Sequence, residues 1–149
     1  MILKFSGILI LLLTLIGCKD SKVKTVESDK AITKSESSCI KKVFEKDSIF
    51  GEIRNHASKT ISLSETIVNY TQDLKSLDFS NCPKDFKIAF DKHIEAWLDI
   101  RTVIDKYPSM HGELHDIFDE LEKSKDSIMF KQLLGNIWET WKLVEQSAN

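Results

Sequence analysis

Residues 86–107 read FKIAFDKHIEAWLDIRTVIDKY, and this stretch decides the fold class. Its apolar and aromatic side chains, with one histidine among them, recur at steps of three and four residues: Phe86, Phe90, His93, Trp97, Ile100, Ile104 and Tyr107. That spacing places them on one face of an α-helix, because a helix turns once in 3.6 residues. Pro83 suits the first helical position, where its missing N–H needs no partner, and Pro108 ends the helix. The stretch therefore predicts a long amphipathic helix that buries one side.

Three further segments carry the same periodicity. A first helix is predicted from about Ser48 to Leu77, with a stripe formed by Ile49, Phe50, Ile53, Ala57, Ile61, Val68 and Thr71. A shorter helix is predicted from near Ser109, with Met110, Leu114, Ile117, Phe118 and Leu121 on its apolar side. The last helix begins at Asp126 or Ser127, either of which can cap it, and buries Phe130, Leu134, Ile137, Trp138, Trp141 and Val144. Four such apolar stripes can be buried only if the helices pack against one another.

The predicted fold is all-α, a small antiparallel bundle of about four helices over residues 39–149. Only three glycines and two prolines follow Cys39, too few turn residues for a sandwich or barrel of many short strands. The segment 39–46 either extends the first helix or folds over it. A domain of this length is large enough to bury one core.

Composition excludes several classes of protein. The chain has 149 residues, 42% hydrophobic and 30% charged, which excludes disorder throughout and collagen-like repetition. Its net charge of -2 gives no reason to expect a nucleic-acid partner. Residues 19–38 differ from the rest, with mixed charge and few apolar positions, so we expect a flexible tether spanning about 25 Å. The alternative for this segment is an extra N-terminal helix.

The N-terminus carries a secretory signal. Lys4 precedes an almost unbroken apolar run that would rise roughly 20 Å as a helix, short of the roughly 30 Å hydrocarbon core. The run ends in Leu15-Ile16-Gly17-Cys18, which resembles the lipobox of bacterial lipoproteins. The alternatives are an ordinary signal peptide with a chance cysteine and a retained anchor helix.

The resemblance to a lipobox implies a cellular location and a lipid anchor. Residues 1–17 would be removed, and Cys18 would receive diacylglycerol on its sulfur and become the new N-terminus. The domain organisation is then a signal peptide at 1–17, a lipidated tether at 18–38 and a helical bundle at 39–149. Lys19 stands where many inner-membrane lipoproteins carry Asp, which favours the outer membrane of the bacterial cell envelope. The membrane is therefore the first expected partner.

Two cysteines remain after lipidation, Cys39 and Cys82. In an oxidising compartment such a pair predicts a disulfide, and neither cysteine belongs to a C-x-x-C redox motif. Both could lie at the same end of the bundle, since one opens the helical domain and the other precedes the long helix. Two free thiols are the alternative.

The candidate functional residues are histidines and tryptophans. His93, one turn before Trp97 on the apolar face, is either a core histidine bonded to a neighbouring helix or a buried ligand for a metal or haem. His111 and His115 are four apart and could bind one metal ion if helical, although frayed surface histidines are the simpler interpretation. No C-x-x-C-H occurs, which excludes covalent c-type haem.

The sequence contains no catalytic signature, because no glycine-rich phosphate loop and no G-x-S-x-G are present. The string from Asn81 to Trp97 is similar to a pattern in uncharacterised bacterial helical envelope proteins, and this resemblance implies no function. The predicted protein is a lipid-anchored envelope module that binds an unknown protein or small ligand without catalysis and without a cofactor. The alternative is a bundle that binds a divalent metal or haem.

Overall fold

The computed structural model describes residues 31–149, and within this range every regular element is a helix. The protein is an all-α bundle, as the periodicity predicts. Cys18, the predicted signal peptide and most of the predicted tether lie outside the described residues. No helix within the described part is long and apolar enough to cross a membrane.

Six helices occur in the order α1 Lys34–Ala57, α2 Leu63–Lys75, α3 Lys84–Asp99, α4 Arg101–Ile104, α5 Leu114–Leu121 and α6 Ser127–Ser147. The one-turn α4 follows α3 after a single residue, Ile100, so together they form the predicted helix of residues 86–107. Pro83, predicted at the first helical position, is the N-cap of α3, and the helix begins one residue later at Lys84. Tyr107 lies beyond α4, and its hydroxyl donates to Asp126 Oδ2 at 2.9 Å.

The predicted helix from Ser48 to Leu77 is wrong as a single element. It is divided by a turn over residues 58–62, where the hydroxyl of the fully buried Ser58 donates to the carbonyls of Asn55 and Gly112 at 3.0 Å. Ser62 then caps α2 by accepting from the Glu65 N–H at 3.2 Å. Serine followed three residues later by glutamate is the sequence signature of a helix start, and it lies in the middle of the predicted helix.

The first helix also begins earlier than predicted. Thr33 and Glu36 form a reciprocal capping box, with Thr33 Oγ1 accepting from the Glu36 N–H and Glu36 Oε2 accepting from the Thr33 N–H. These bonds satisfy backbone donors that a helix start leaves without partners. Residues 34–38, assigned to the tether at 18–38, are therefore helical, and the segment 39–46 extends the first helix.

The third predicted helix starts later than expected, at Leu114 rather than near Ser109. The segment before it is held by backbone bonds to the α1–α2 turn, from the Gly112 N–H to the Ser58 carbonyl and from the Leu63 N–H to the Met110 carbonyl. Gly112 has a φ of 151°, a backbone conformation that glycine adopts readily and that residues with a side chain rarely adopt. These contacts keep residues 108–113 out of the helix.

The last helix begins at Ser127, as predicted, but Asp126 does not cap it with its side chain. The Asp126 carboxylate instead accepts from Lys106 and Tyr107. The helix buries Phe130, Ile137 and Val144 fully, on a seven-residue repeat. Trp138, predicted to be buried, lies one position off this repeat and is 59% exposed.

The helices pack in chain order, α1 on α2, α2 on α3, and α3 on α6. The core between them contains Leu63, Ile67, Leu74, Phe86, Phe90, Ile100, Ile104, Leu121, Phe130 and Ile137. Within the described residues, α1 and α6 are not among the closely packed helix pairs. This side of the bundle is open. The predicted stripe residues Ile49 and Ile53 of α1 are exposed, because the buried residues of this helix are Cys39, Ile40 and Val43 near its start.

The predicted disulfide is confirmed. Cys39 and Cys82 are joined with an S–S distance of 2.06 Å and a Cα–Cα distance of 5.2 Å. The bond ties the first turns of α1 to the loop that precedes α3, two segments 43 residues apart. It therefore holds the start of α1 against the segment that leads into α3.

Candidate ligand-binding groove

His93 lies in the core and is only 4% exposed. The indole N–H of Trp97 donates to His93 Nε2 at 3.1 Å, so this nitrogen must be unprotonated. The proton of the neutral ring is then on Nδ1, which donates to Thr140 Oγ1 of α6 at 3.1 Å. The Thr140 hydroxyl in turn donates to carbonyls of its own helix. Both ring nitrogens therefore have partners within the protein.

Burial, together with the positive charge of Arg54, lowers the pKa of His93 to about 4, although a hydrogen bond with the Ile137 backbone acts in the opposite direction. The ring is consequently neutral at neutral pH, in agreement with the hydrogen bonds described above. A metal ion could bind either nitrogen only by breaking one of these bonds. His93 and Trp97 therefore form a hydrogen-bonded pair in the core, and Thr140 supplies the second hydrogen-bond partner of His93 from the neighbouring helix α6.

The weaker metal pair, His111 and His115, is not brought together on one helix. His111 precedes α5, and its Nδ1 lies 2.8 Å from the carbonyl oxygen of Ser109, while His115 contacts Asp116 at 3.0 Å. Both side chains are exposed. The four-residue spacing predicts a shared face only in a helix, and the glycine conformation at Gly112 interrupts it. Within residues 31–149, no group of three or more His, Cys, Asp or Glu side chains could hold a metal ion.

The open side of the bundle forms a groove between α1 and α6. Three adjoining cavities of about 590, 310 and 310 Å³ follow one another along it. The first two share Asp47, Ser48 and Trp141, and the last two share Arg54, Asn55, Trp97, Ile137 and Trp138. We call this feature the α1–α6 groove. Volumes of this size are typical of small-molecule sites.

The groove has an aromatic lining. Tyr70 and Trp97 meet edge to face with ring centroids 5.4 Å apart, and His93 lies 5.1 Å from the ring of Trp141. Phe44 of α1 contacts Trp141 with ring centroids 5.7 Å apart, and both rings line the first of the three cavities. Trp138 lines two of the cavities while remaining mostly exposed. The groove thus offers an indole that the protein itself leaves uncovered.

A polar cluster lies on the floor of the groove. The half-buried guanidinium of Arg54 stacks on two rings, with its central carbon 4.6 Å from the Tyr70 centroid and 4.4 Å from the Trp97 centroid. The Tyr70 hydroxyl donates to Asp47 Oδ1 at 2.8 Å. Burial lowers the pKa of Arg54 and raises that of Asp47, because loss of water disfavours both charged forms.

A further cavity of about 440 Å³ lies beside Cys39, between α1 and the loop after α2. Its charged lining residues are Lys42, Lys46 and Asp78, all of them exposed. Its lining includes no buried charged group and no exposed tryptophan among the described residues. The α1–α6 groove is therefore the better candidate for a ligand site.

Of the groove residues, the sequence singles out His93 and Trp97 as candidates and predicts Trp138 and Trp141 only as buried residues of the last helix. Arg54, Asp47 and Tyr70 are not among the predicted site residues. One signal could have identified Arg54, since the chain has only two arginines among its 21 basic residues. Arginine stacks on aromatic faces in a way that lysine does not, so a rare arginine near an apolar stripe indicates such a contact.

Comparison with protein-family profiles, curated proteins and solved structures finds no match.

Proposed function

We propose that the protein is a lipid-anchored, non-catalytic binding module of the bacterial cell envelope, and that the α1–α6 groove is its ligand site. The lipobox at Leu15 to Cys18 supports the anchor. The observation that carries the binding role is the groove itself, which is lined by aromatic rings and leaves Trp138 uncovered. A bound apolar body would remove this indole from water, which is favourable in proportion to the area covered.

The side chains of the groove favour binding over catalysis. His93 is neutral and bonded at both nitrogens, so it offers no free base to a substrate. The Asp47 carboxylate accepts the Tyr70 hydroxyl, and Trp141 donates to Glu145 at 3.1 Å. A general acid or base needs a free proton site within reach of the substrate. These groups are already engaged in positioning one another.

The groove predicts binding of a neutral apolar dye. Nile red should bind the purified protein with increased fluorescence, and Trp138→Ser should weaken this binding about tenfold, or roughly 1.4 kcal/mol. The matched control is Ile128→Ser, because Ile128 is 86% exposed at the start of α6 and outside the groove. Equal loss in both variants, or no dye binding by the wild type, would contradict the proposed site.

The lipobox predicts lipid attachment at Cys18. Cys18→Ser should abolish incorporation of a labelled fatty acid and release the protein from the membrane fraction, since the acyl chains are its expected anchor. Ser21→Ala, three residues later, should leave both properties unchanged. If the Cys18→Ser protein stays membrane-bound and unprocessed, the N-terminal segment is a retained helix and the lipoprotein assignment is wrong.

A further inference from the structure

Arg54 differs from the other arginine of the chain in its ion pairing. Arg101 Nη2 lies 3.1 Å from Asp105 Oδ2 on the surface of the bundle. For Arg54, by contrast, no Asp or Glu oxygen within residues 31–149 lies within 4 Å of the guanidinium. Its Nε and Nη2 both donate to Asn55 Oδ1, at 3.2 and 3.1 Å. A half-buried cation thus lines the groove with no carboxylate in direct contact, and Asp47 of the same cavity acts on it only from beyond 4 Å.

This arrangement has an energetic consequence. A cation that loses part of its water is costly unless an anion or several acceptors compensate it. Stacking on Tyr70 and Trp97 compensates in part and also fixes the plane of the guanidinium. A planar, oriented guanidinium is the group that recognises a carboxylate with two parallel hydrogen bonds. The groove therefore holds the cationic half of such a pair.

The charges around Arg54 limit the charge of the ligand. Asp47 and Glu52 line the same cavity, so the local charge is negative before any ligand binds. Asp47 is engaged by Tyr70, and Glu113 of the adjoining cavity is paired with Lys59 at 2.6 Å. A ligand with two negative charges would be repelled by Asp47 and Glu52 more strongly than one with a single charge.

The position of Trp138 indicates the shape and polarity of the part of the ligand that does not contact Arg54. Its indole lines both of the cavities that Arg54 lines, so a molecule bound to the guanidinium would lie beside this ring. Each of these cavities is about 310 Å³, which accommodates a small flat molecule. An aromatic or flat apolar body would stack there with favourable offset or edge contacts.

We propose that the α1–α6 groove binds a small organic monocarboxylate with a flat apolar body, its carboxylate on the Arg54 guanidinium and its body against Trp138. This inference rests on the proposed function and specifies the class of ligand. The neutral dye tests the groove without the carboxylate, so the two proposals can fail separately.

The experiment compares three probes that share one ring system: 2-naphthoate, the neutral 2-naphthylmethanol and 2-naphthyl phosphate. At pH 7 they carry one, zero and roughly two negative charges. Isothermal titration of the wild type should give at least tenfold tighter binding of the carboxylate than of the alcohol, and weaker binding of the phosphate than of the carboxylate. Arg54→Gln should abolish the preference for the carboxylate, and Arg101→Gln should retain it.

Arg54→Lys keeps the positive charge but not the planar fork, so it should retain only part of the preference. The comparison in the wild type needs no variant and stands even if Arg54→Gln folds poorly. Equal affinity for carboxylate and alcohol, a preference that persists in Arg54→Gln, or tighter binding of the phosphate would overturn the inference. If Nile red binds the groove while the naphthalenes show no preference, the proposed function stands and the monocarboxylate assignment fails.

Discussion

Replacing Cys82 with serine is expected to lower the free energy of unfolding by about 4 kcal/mol. The reason is the 43-residue separation between the bonded cysteines, because the bond removes many conformations from the unfolded chain. For a domain with a typical stability of about 5 to 15 kcal/mol, this is a large share. The double variant Cys39→Ser/Cys82→Ser should behave alike and leaves no free thiol in the bundle.

Urea denaturation with and without a reducing agent measures this effect. Reduction should destabilise the wild type by the same amount as the double substitution, and it should not change the double variant. The intact mass of the non-reduced protein should be about 2 Da below that of the reduced form, because the bond replaces two thiol hydrogens. Two alkylatable thiols in the native, non-reduced bundle would contradict the disulfide.

Acidification is expected to destabilise the protein through His93. Its pKa is about 4 in the folded protein and close to the ordinary value of 6.5 when unfolded, so the unfolded chain binds the proton first as the pH falls. The stabilisation is therefore complete above pH 6.5 and is lost as the pH approaches 4. The difference in pKa corresponds to roughly 3 kcal/mol.

The measurement is the free energy of unfolding of the wild type and of His93→Gln between pH 7 and pH 4. The variant cannot titrate at this position, so the slope specific to His93 should disappear while contributions from the carboxyl groups remain in both proteins. His93→Ala should lose roughly 1 to 3 kcal/mol at neutral pH, because Thr140 and Trp97 lose their partner. Parallel pH profiles, or a rise in melting temperature with zinc, copper or haem that His93→Ala removes, would contradict the structural role.

The features that depend on local periodicity could be predicted from the sequence. The helix of residues 86–107 and the burial of His93 follow from one stripe, and the Cys39–Cys82 bond follows from the pairing of the remaining cysteines. The helix starts at Lys34 and Leu63 do not follow from apolar steps, because hydrogen bonds at the caps decide them. Their signals are Thr33-x-x-Glu36 and Ser62-x-x-Glu65, and both patterns are visible in the sequence.

The groove could not be predicted from the sequence. The groove exists because α1 packs on α2 and does not pack closely on α6. This arrangement of whole helices around the core is not determined by the periodicity of any single segment. The exposure of Trp138 follows from this arrangement, since a stripe that faces no close neighbour is not buried. The guanidinium of Arg54 is held in the groove by stacking on Tyr70 of α2 and Trp97 of α3. These contacts join three helices, so no local pattern predicts them.

The central claim is that a ligand enters the α1–α6 groove, and nitrogen-15 NMR spectroscopy of the labelled protein titrated with 2-naphthylmethanol tests it most directly. Of the three indole N–H signals, that of Trp138 should shift most, together with the backbone amides of residues 47–55 and 134–141. The signal of Trp97, whose N–H is bonded to His93, should shift less. Shifts confined to the cavity beside Cys39, or no shifts at all, would contradict the claim.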